Sequence, residues 1–295
     1  MYINLPLYLA ARKTIIMVTL DRAVEEIRDF KVQGANNIAI YGMKFLRQFA
    51  RRHGFGLKFE AAAHFIEEAR PTAVVMHNCV EILKKKKSMR EFDRLERLLR
   101  SSSEMEARYA DRLVRPGATI MTYCHSGEAV NFIRHLWAKH KKKISVIACE
   151  TEPLEQGLRT ANDMIAAGIP VTLIDDNAAG FFMRQVDMVV VGSDAMRREG
   201  NVNKIGTSMV CGAAKSAGKP VYVVASTFKI DNRKNLKIEE RPAREIYRKI
   251  FDKKRARGIK VRNPAFDITP WKNVTAVITE KGIMKPEKVA RLAGK

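Results

Sequence analysis

Cysteine is scarce: four residues in 295 (Cys79, Cys124, Cys149 and Cys211), with no two forming a C-x-x-C pair. That excludes a disulfide framework or a zinc ribbon and points to a reducing compartment, the cytoplasm. Glycine (17) and proline (10) are too few for a collagen-like or low-complexity chain. Aromatic residues make up 7% and do not alternate with the basic runs, as a base-stacking platform requires. A mean hydropathy of −0.23 excludes a multipass membrane protein. Neither G-x-x-x-x-G-K-[ST] nor a G-x-G-x-x-G behind a strand occurs, so nucleotide-kinase and dinucleotide readings are poor.

What is abundant is positive charge, 54 Lys+Arg against 32 Asp+Glu for a net +22. The basic residues cluster at Lys84–Lys87, Lys139–Lys143 and Lys253–Arg257. Each run falls at a helix end or a connection, where cations complement the helix dipole and stay solvated. They are read as solvated faces, with nucleic-acid binding at most non-specific and salt-sensitive. The opening MYINLPLYLAARKTIIM is broken by Arg12 and Lys13, too short to span a bilayer, and lacks the basic start of a secretion signal. Residues 1–16 are read as a non-essential extension, and Met17 as the start of an amphipathic helix.

Apolar positions recur at three- and four-residue spacing over 19–31, 36–53, 58–69, 71–87 and 88–100, which predicts a helical domain over 17–115. Ser101-Ser102-Ser103 reads as the cap of one more helix, which Arg115-Pro116-Gly117 stops. Beyond Gly117 short runs rich in Val and Ile appear at 118–122, 144–149, 171–174, 188–191, 221–225 and 274–278. Their lack of alternation suits strands buried on both faces. Helical stretches near 127–140, 155–167, 177–185 and 205–217 separate most of them. The rhythm predicts an α/β, Rossmann-like catalytic domain over 116–295, with a mostly parallel doubly wound sheet.

Ligands of such sheets bind at the carboxyl ends of the strands. There the sequence places Cys124, opening a loop into a helix, where helix-terminal N–H groups favour a thiolate and also bind phosphate. His125 beside it reads more readily as a hydrogen-bonder than as a base. Asp194 comes directly after the strand Val189-Val190-Val191 and faces the same edge; its alternative is an N-cap. Asn203 and Lys204 precede the helix at 205–217, where a cation and an amide meet a phosphate.

Several segments together are distinctive: Arg70-Pro71-Thr72-Ala73-Val74, Thr122-Tyr123-Cys124-His125-Ser126, Gln156-Gly157, Asp176-Asn177-Ala178-Ala179, Gly192-Ser193-Asp194, Asn203-Lys204-Ile205-Gly206-Thr207 and Asn263-Pro264-Ala265-Phe266-Asp267. In this order the chain resembles, over about residues 18–288, the family joining ribose-1,5-bisphosphate isomerase, methylthioribose-1-phosphate isomerase and the regulatory subunits of translation initiation factor 2B. The carboxy-terminal segments resemble the archaeal ribose-1,5-bisphosphate isomerase branch.

The resemblance implies conversion of ribose 1,5-bisphosphate to ribulose 1,5-bisphosphate in nucleoside and AMP catabolism, without cofactor or metal, by a homo-oligomer (dimer or hexamer). Cys124 matches the catalytic cysteine and Asp194 the catalytic aspartate. The substrate-binding positions it implies are Gln33, Gly34, Ala35, Asn36, Arg70, Ser126, Gly127, Gln156, Asn203, Lys204 and Lys229. Departures stand at Gln33, where the family carries an arginine, and at Glu152, where it carries another. A methylthioribose-1-phosphate isomerase and an initiation-factor-like regulatory subunit are the alternatives.

Overall fold

The computed structural model describes residues 20–29, 32, 34–138, 141, 143–235, 238–247 and 259–294. The expectations for residues 1–16, Met17 and Gln33 lie outside these, as do those for most of the Lys139–Lys143 run and all of Lys253–Arg257.

Five helices come first: α1 (Leu20–Arg28), α2 (Ala35–His53), α3 (Leu57–Glu68), α4 (Val74–Lys86) and α5 (Met89–Ala110). Their apolar faces meet in one core around Ile27, Leu46, Phe59, Ile66, Met76 and Phe92. α4 ends as the sequence suggests, with three lysines in its last turn and Lys87 in the left-handed conformation. The serine triplet does not cap a new helix; it lies inside α5. The hydroxyls of Ser101 and Ser102 donate back to the carbonyls of Leu98 and Leu99, at 3.4 and 3.2 Å, so they need no helix break.

After Gly117 the chain runs β1 (Thr119–Tyr123), α6 (Gly127–Ala138), β2 (Ser145–Cys149), α7 (Gln156–Ala166), β3 (Val171–Ile174), α8 (Ala179–Phe182) and β4 (Met188–Val191). It continues through β5 (Ala195–Met196), β6 (Gly200–Lys204), α9 (Thr207–Ser216), β7 (Val221–Val224), α10 (Arg244–Tyr247), β8 (Phe266–Pro270), β9 (Ala276–Thr279), β10 (Gly282–Met284) and α11 (Pro286–Ala293). Seven strands form one sheet in the order β10-β9-β7-β4-β1-β2-β3, parallel throughout except for the antiparallel pair β9–β10. Alternate residues feed two cores. Met121, Ile147, Val189 and Val223 face α9, whereas Ile120, Val146, Val190 and Ile278 face α6. The absence of polar alternation is thus explained by burial on both faces.

Two features escape local patterning. Residues 200–204 are not a loop before a helix but a central strand of a second, antiparallel sheet, β5-β6-β8. The segment 177–185 is not one helix but α8 between two 3-10 turns. Both segments are short, and the longer pairing of β6 is to β8, too far along the chain for local periodicity to register.

The helical region packs directly on the sheet's edge loops. Asn78 of α4 donates to the carbonyls of both Phe228 and Ile230, each at 2.8 Å. Val74 shares an apolar cluster with Ala195 and Val202.

At the other side α7 sits hard against β2, because Gly157 carries no side chain there. A Cβ at that position would stand 1.7 Å from the Cys149 carbonyl oxygen. Gly157→Ala is therefore expected to lower stability by about 3 kcal/mol, as backbone must move to admit the methyl. Urea denaturation checks this, and an unchanged midpoint would show that α7 slides freely on β2.

Candidate active site

The strand order reverses between β1 and β4, and in open α/β sheets such a reversal opens a crevice at the carboxyl ends of the two strands. Cys124 leaves β1 and Gly192-Ser193-Asp194 leaves β4, so both expected residues face this crevice. The two loops touch because position 192 is glycine: a Cβ there would lie 2.2 Å from the Ser126 hydroxyl. Asp194 caps no helix. It leads into β5 instead, and its own N–H donates to the Val202 carbonyl at 2.8 Å.

Cys124 sits in the left-handed region, φ 67°, a strained conformation for a side chain of this kind. Its surroundings hold it there. Its N–H donates to the Thr151 hydroxyl at 2.9 Å, and its carbonyl accepts from the Thr160 hydroxyl at 3.0 Å. Thr151, also left-handed at φ 66°, is anchored in turn by Asp176. That carboxylate accepts from the N–H groups of Thr151 (2.7 Å) and Glu152 (2.8 Å) and from the Tyr123 hydroxyl (3.2 Å). His125 is occupied with Thr160 at 3.1 Å, as a plain hydrogen-bonder would be.

Burial pushes the Cys124 thiol up to about 12, reinforced by the charge of Asp194 and opposed by Lys204 and the His125 N–H. This corrects the expectation of a thiolate favoured by helix-terminal N–H groups, because desolvation outweighs them. Burial also raises Asp194 above the usual carboxylate range, against Lys229, Arg70 and Lys204. Arg70 and Lys204 are both pulled down by burial while the Asp194 charge supports their protonated forms. Cys124, Asp194, Arg70, Lys204 and Lys229 thus share one electrostatic environment.

The remaining expected residues divide. Ser126 caps α6, its hydroxyl accepting the Ala129 N–H at 3.4 Å, and Gly127 opens that helix. Gln156 opens α7, its buried amide oxygen without a partner among the described residues; the Ser193 hydroxyl is in the same state. Gly34 (φ 86°) and Ala35 start α2, but the amide of Asn36 donates to Leu99 of the bundle at 3.3 Å. Asn203 lies on β6 and donates to the Thr207 hydroxyl at 3.1 Å. At the start of α9, Asp267 accepts the N–H groups of Gly206 (2.8 Å) and Ser208 (3.1 Å). Lys229, expected to face a phosphate, is paired with Glu128.

Sequence reasoning missed Asp176, Thr151, Thr160, Glu128 and Arg241. Arg241 lies close enough to bear on both Arg70 and Lys204. Only Asp176 had a signal, its place at the end of an apolar run. Among the described residues, two groups of side chains lie close enough to share a cation, Glu67–His77–Glu81 and Glu150–Glu152–Glu155. In the first, the Lys84 ammonium already stands 2.9 Å from Glu67 and 3.1 Å from Glu81, and neither group is assigned to a metal. Among the described residues, no helix is long and apolar enough to cross a membrane.

The chain as a whole is similar to known proteins. The model of the initiation factor 2 subunit family matches residues 31–286. The ribose 1,5-bisphosphate isomerase of Archaeoglobus fulgidus is 35% identical, over 90% of this chain and 89% of that protein. The methylthioribose-1-phosphate isomerase of Geobacter sulfurreducens is also 35% identical, over 92% and 88%. The crystal structure of Pyrococcus horikoshii translation initiation factor eIF-2B superposes with a TM-score of 0.78 at 24% identity, covering 91% of this chain and 98% of that one.

Asp267 carries a pH signature. Burial raises its carboxyl from 3.8 to about 6, although two N–H groups oppose the shift. A raised acid favours the protonated folded state, so its contribution is greatest below about 4 and is lost as pH rises through about 6. The stability of the native chain relative to Asp267→Asn should therefore fall over that window, by at most about 3 kcal/mol. Denaturation at stepped pH measures this, and a flat difference would contradict it.

Proposed function

Because this chain belongs to the initiation factor 2 subunit family, we propose that it is an aldose–ketose isomerase of a pentose phosphorylated at C1, with ribose 1,5-bisphosphate giving ribulose 1,5-bisphosphate. The observation that carries this reading is the Cys124–Asp194 pair at the strand reversal, with Arg70 and Lys204 in its field.

A phosphate on the anomeric oxygen prevents ordinary opening of the ring to a free aldehyde. In the proposed reaction the neutral Asp194 carboxyl protonates the ring oxygen, and the bond from C1 to that oxygen breaks. The Cys124 thiolate removes the C2 proton, leaving an enol phosphate across C1 and C2. The thiol then returns a proton to C1 while the C2 hydroxyl gives its proton to the Asp194 carboxylate. Both residues end as they began, and the sugar has become a ketose. Arg70 and Lys204 hold the phosphate and fix the ring between acid and base. The reactive state is the pair with one proton missing, in the form with that proton on Asp194. The two groups therefore titrate as a unit, and the rate profile is expected to be bell-shaped.

One observation favours the second reading, methylthioribose 1-phosphate, which carries a single phosphate: Lys229 is already neutralised by Glu128.

Incubating the protein with each phosphosugar and following ketose formation tests the reading directly. Cys124→Ser and Asp194→Asn are each expected to lower turnover by about a thousandfold while substrate binding stays within about tenfold, since both act in the transition state. Retained turnover in either variant removes that residue from the mechanism. No ketose from either sugar refutes the isomerase.

A further inference from the structure

Cys124 breaks the alternation of its own strand. Along β1, Ile120 faces α6, whereas Met121 and Tyr123 face α9. Continued as a strand, the chain would send the next side chain, that of Cys124, to the α6 side. It packs instead on the α9 side, against the same core as Tyr123. The φ of 67° makes that turn, and a cysteine keeps such a conformation only where its surroundings impose it. The α9 side is also the side of Lys204, which stands three residues ahead of that helix. The Tyr123 hydroxyl reaches the same stretch, donating to the carbonyl of Ile205 at 2.9 Å.

One carboxylate holds the residues around that turn. Asp176 opens the 3-10 turn behind β3, two strands away from β1. Its Oδ1 accepts the Thr151 N–H at 2.7 Å, and its Oδ2 accepts the Glu152 N–H at 2.8 Å and the Tyr123 hydroxyl at 3.2 Å. Thr151 is fully buried, and its hydroxyl gives its proton to the Cys149 carbonyl at 3.1 Å. The oxygen is left to accept, and what it accepts is the Cys124 N–H, at 2.9 Å. Asp176 thus acts on Cys124 by two routes, through Thr151 on its N–H and through Tyr123 on the residue before it. Its charge works the other way. Burial raises the thiol, and Asp194 and then Asp176 add to that rise, so this carboxylate makes a thiolate harder to form. Any help it gives to Cys124 is geometric.

Resting on the isomerase reading, we propose that Asp176 is a positioning residue for Cys124: through Thr151 and Tyr123 it keeps the thiol on the Lys204 side of the sheet, where it addresses C2. Without that hold Cys124 relaxes toward an extended backbone, and the thiol swings to the α6 side, away from the sugar. Arg70 and Lys204 still bind the phosphate. The loss therefore falls on turnover and not on affinity.

Two variants of the full chain release the hold differently. Asp176→Asn removes the charge and one of the two acceptor oxygens. Thr151→Val keeps the shape and every charge but removes the hydroxyl. Each is expected to lower kcat by about ten- to a hundredfold, with KM within about threefold. Thr151→Ser, which keeps the hydroxyl, is expected to stay within about threefold of the native kcat. Unchanged kcat in Thr151→Val overturns the proposal, and so does a rise in Asp176→Asn, which loss of its charge alone would give. Thr151→Val decides the matter if Asp176→Asn does not fold.

Iodoacetamide separates this proposal from the isomerase reading. If neither sugar is turned over, that reading falls, and alkylation of Cys124, followed by mass spectrometry, still reports where the thiol stands. Slower alkylation of Cys124 in both variants, with the fully buried Cys79, Cys149 and Cys211 still unlabelled, upholds the hold of Asp176 on Cys124. Equal or faster labelling of Cys124 overturns it.

Discussion

The parallel register of β1 against β4 sets the whole site. Tyr123 pairs with Val191 as the last rung, so the next residues out are Cys124 on one strand and Gly192 on the other. The missing side chain at Gly192 lets the two loops close on each other. From there β5 and β6 fold back antiparallel, which returns Lys204 to the edge from which Asp194 departed. A shift of one residue in the first pairing would turn every inward side chain outward. The adjacency of acid, thiol and cation is therefore one fact of topology rather than three of local sequence.

Holding charge in that crevice costs free energy, and particular contacts offset it. Cys124 and Thr151 both take left-handed conformations, and Asp176 binds the backbone that keeps them there. Burial raises both Cys124 and Asp194, and the neighbouring lysines and Arg70 oppose that rise. Dipoles and charges arranged before a substrate arrives need no reorganisation during the reaction, which is how such a site contributes to rate.

The large positive charge plays a different part. On the helices much of it sits in exposed pairs one turn apart, such as Arg22 with Glu26 and Arg100 with Glu96, which contribute little each. The pairs that matter are few and buried. Arg197 joins Asp231 at 2.7 Å, and its carbonyl accepts the Trp271 indole N–H at 2.8 Å, tying the small sheet to the segment behind β7. Lys229 and Glu128 join that segment to α6. Breaking either pair leaves a charge in an apolar setting, which makes these contacts structural commitments.

Much of this was legible before any coordinates. Spacing identified the helices of the first third, and the unbroken apolar runs of β1, β2 and β4 identified a sheet covered on both faces, because each pattern is written within one element. Cys124 and Asp194 were legible for the same reason, since a polar residue just past a buried strand must lie at the sheet's edge. Local reading misplaced the serine triplet of α5 and the strand β6, and it could not show that Asp267 takes the donors at the start of α9 from some sixty residues away. It could not find Glu128, whose partner lies 101 residues along the chain. Periodicity records which way a side chain faces from its own helix or strand. Which buried charge it meets is decided only when the strand order brings distant loops together, for in a low-dielectric interior proximity in space, and not in sequence, sets the energy.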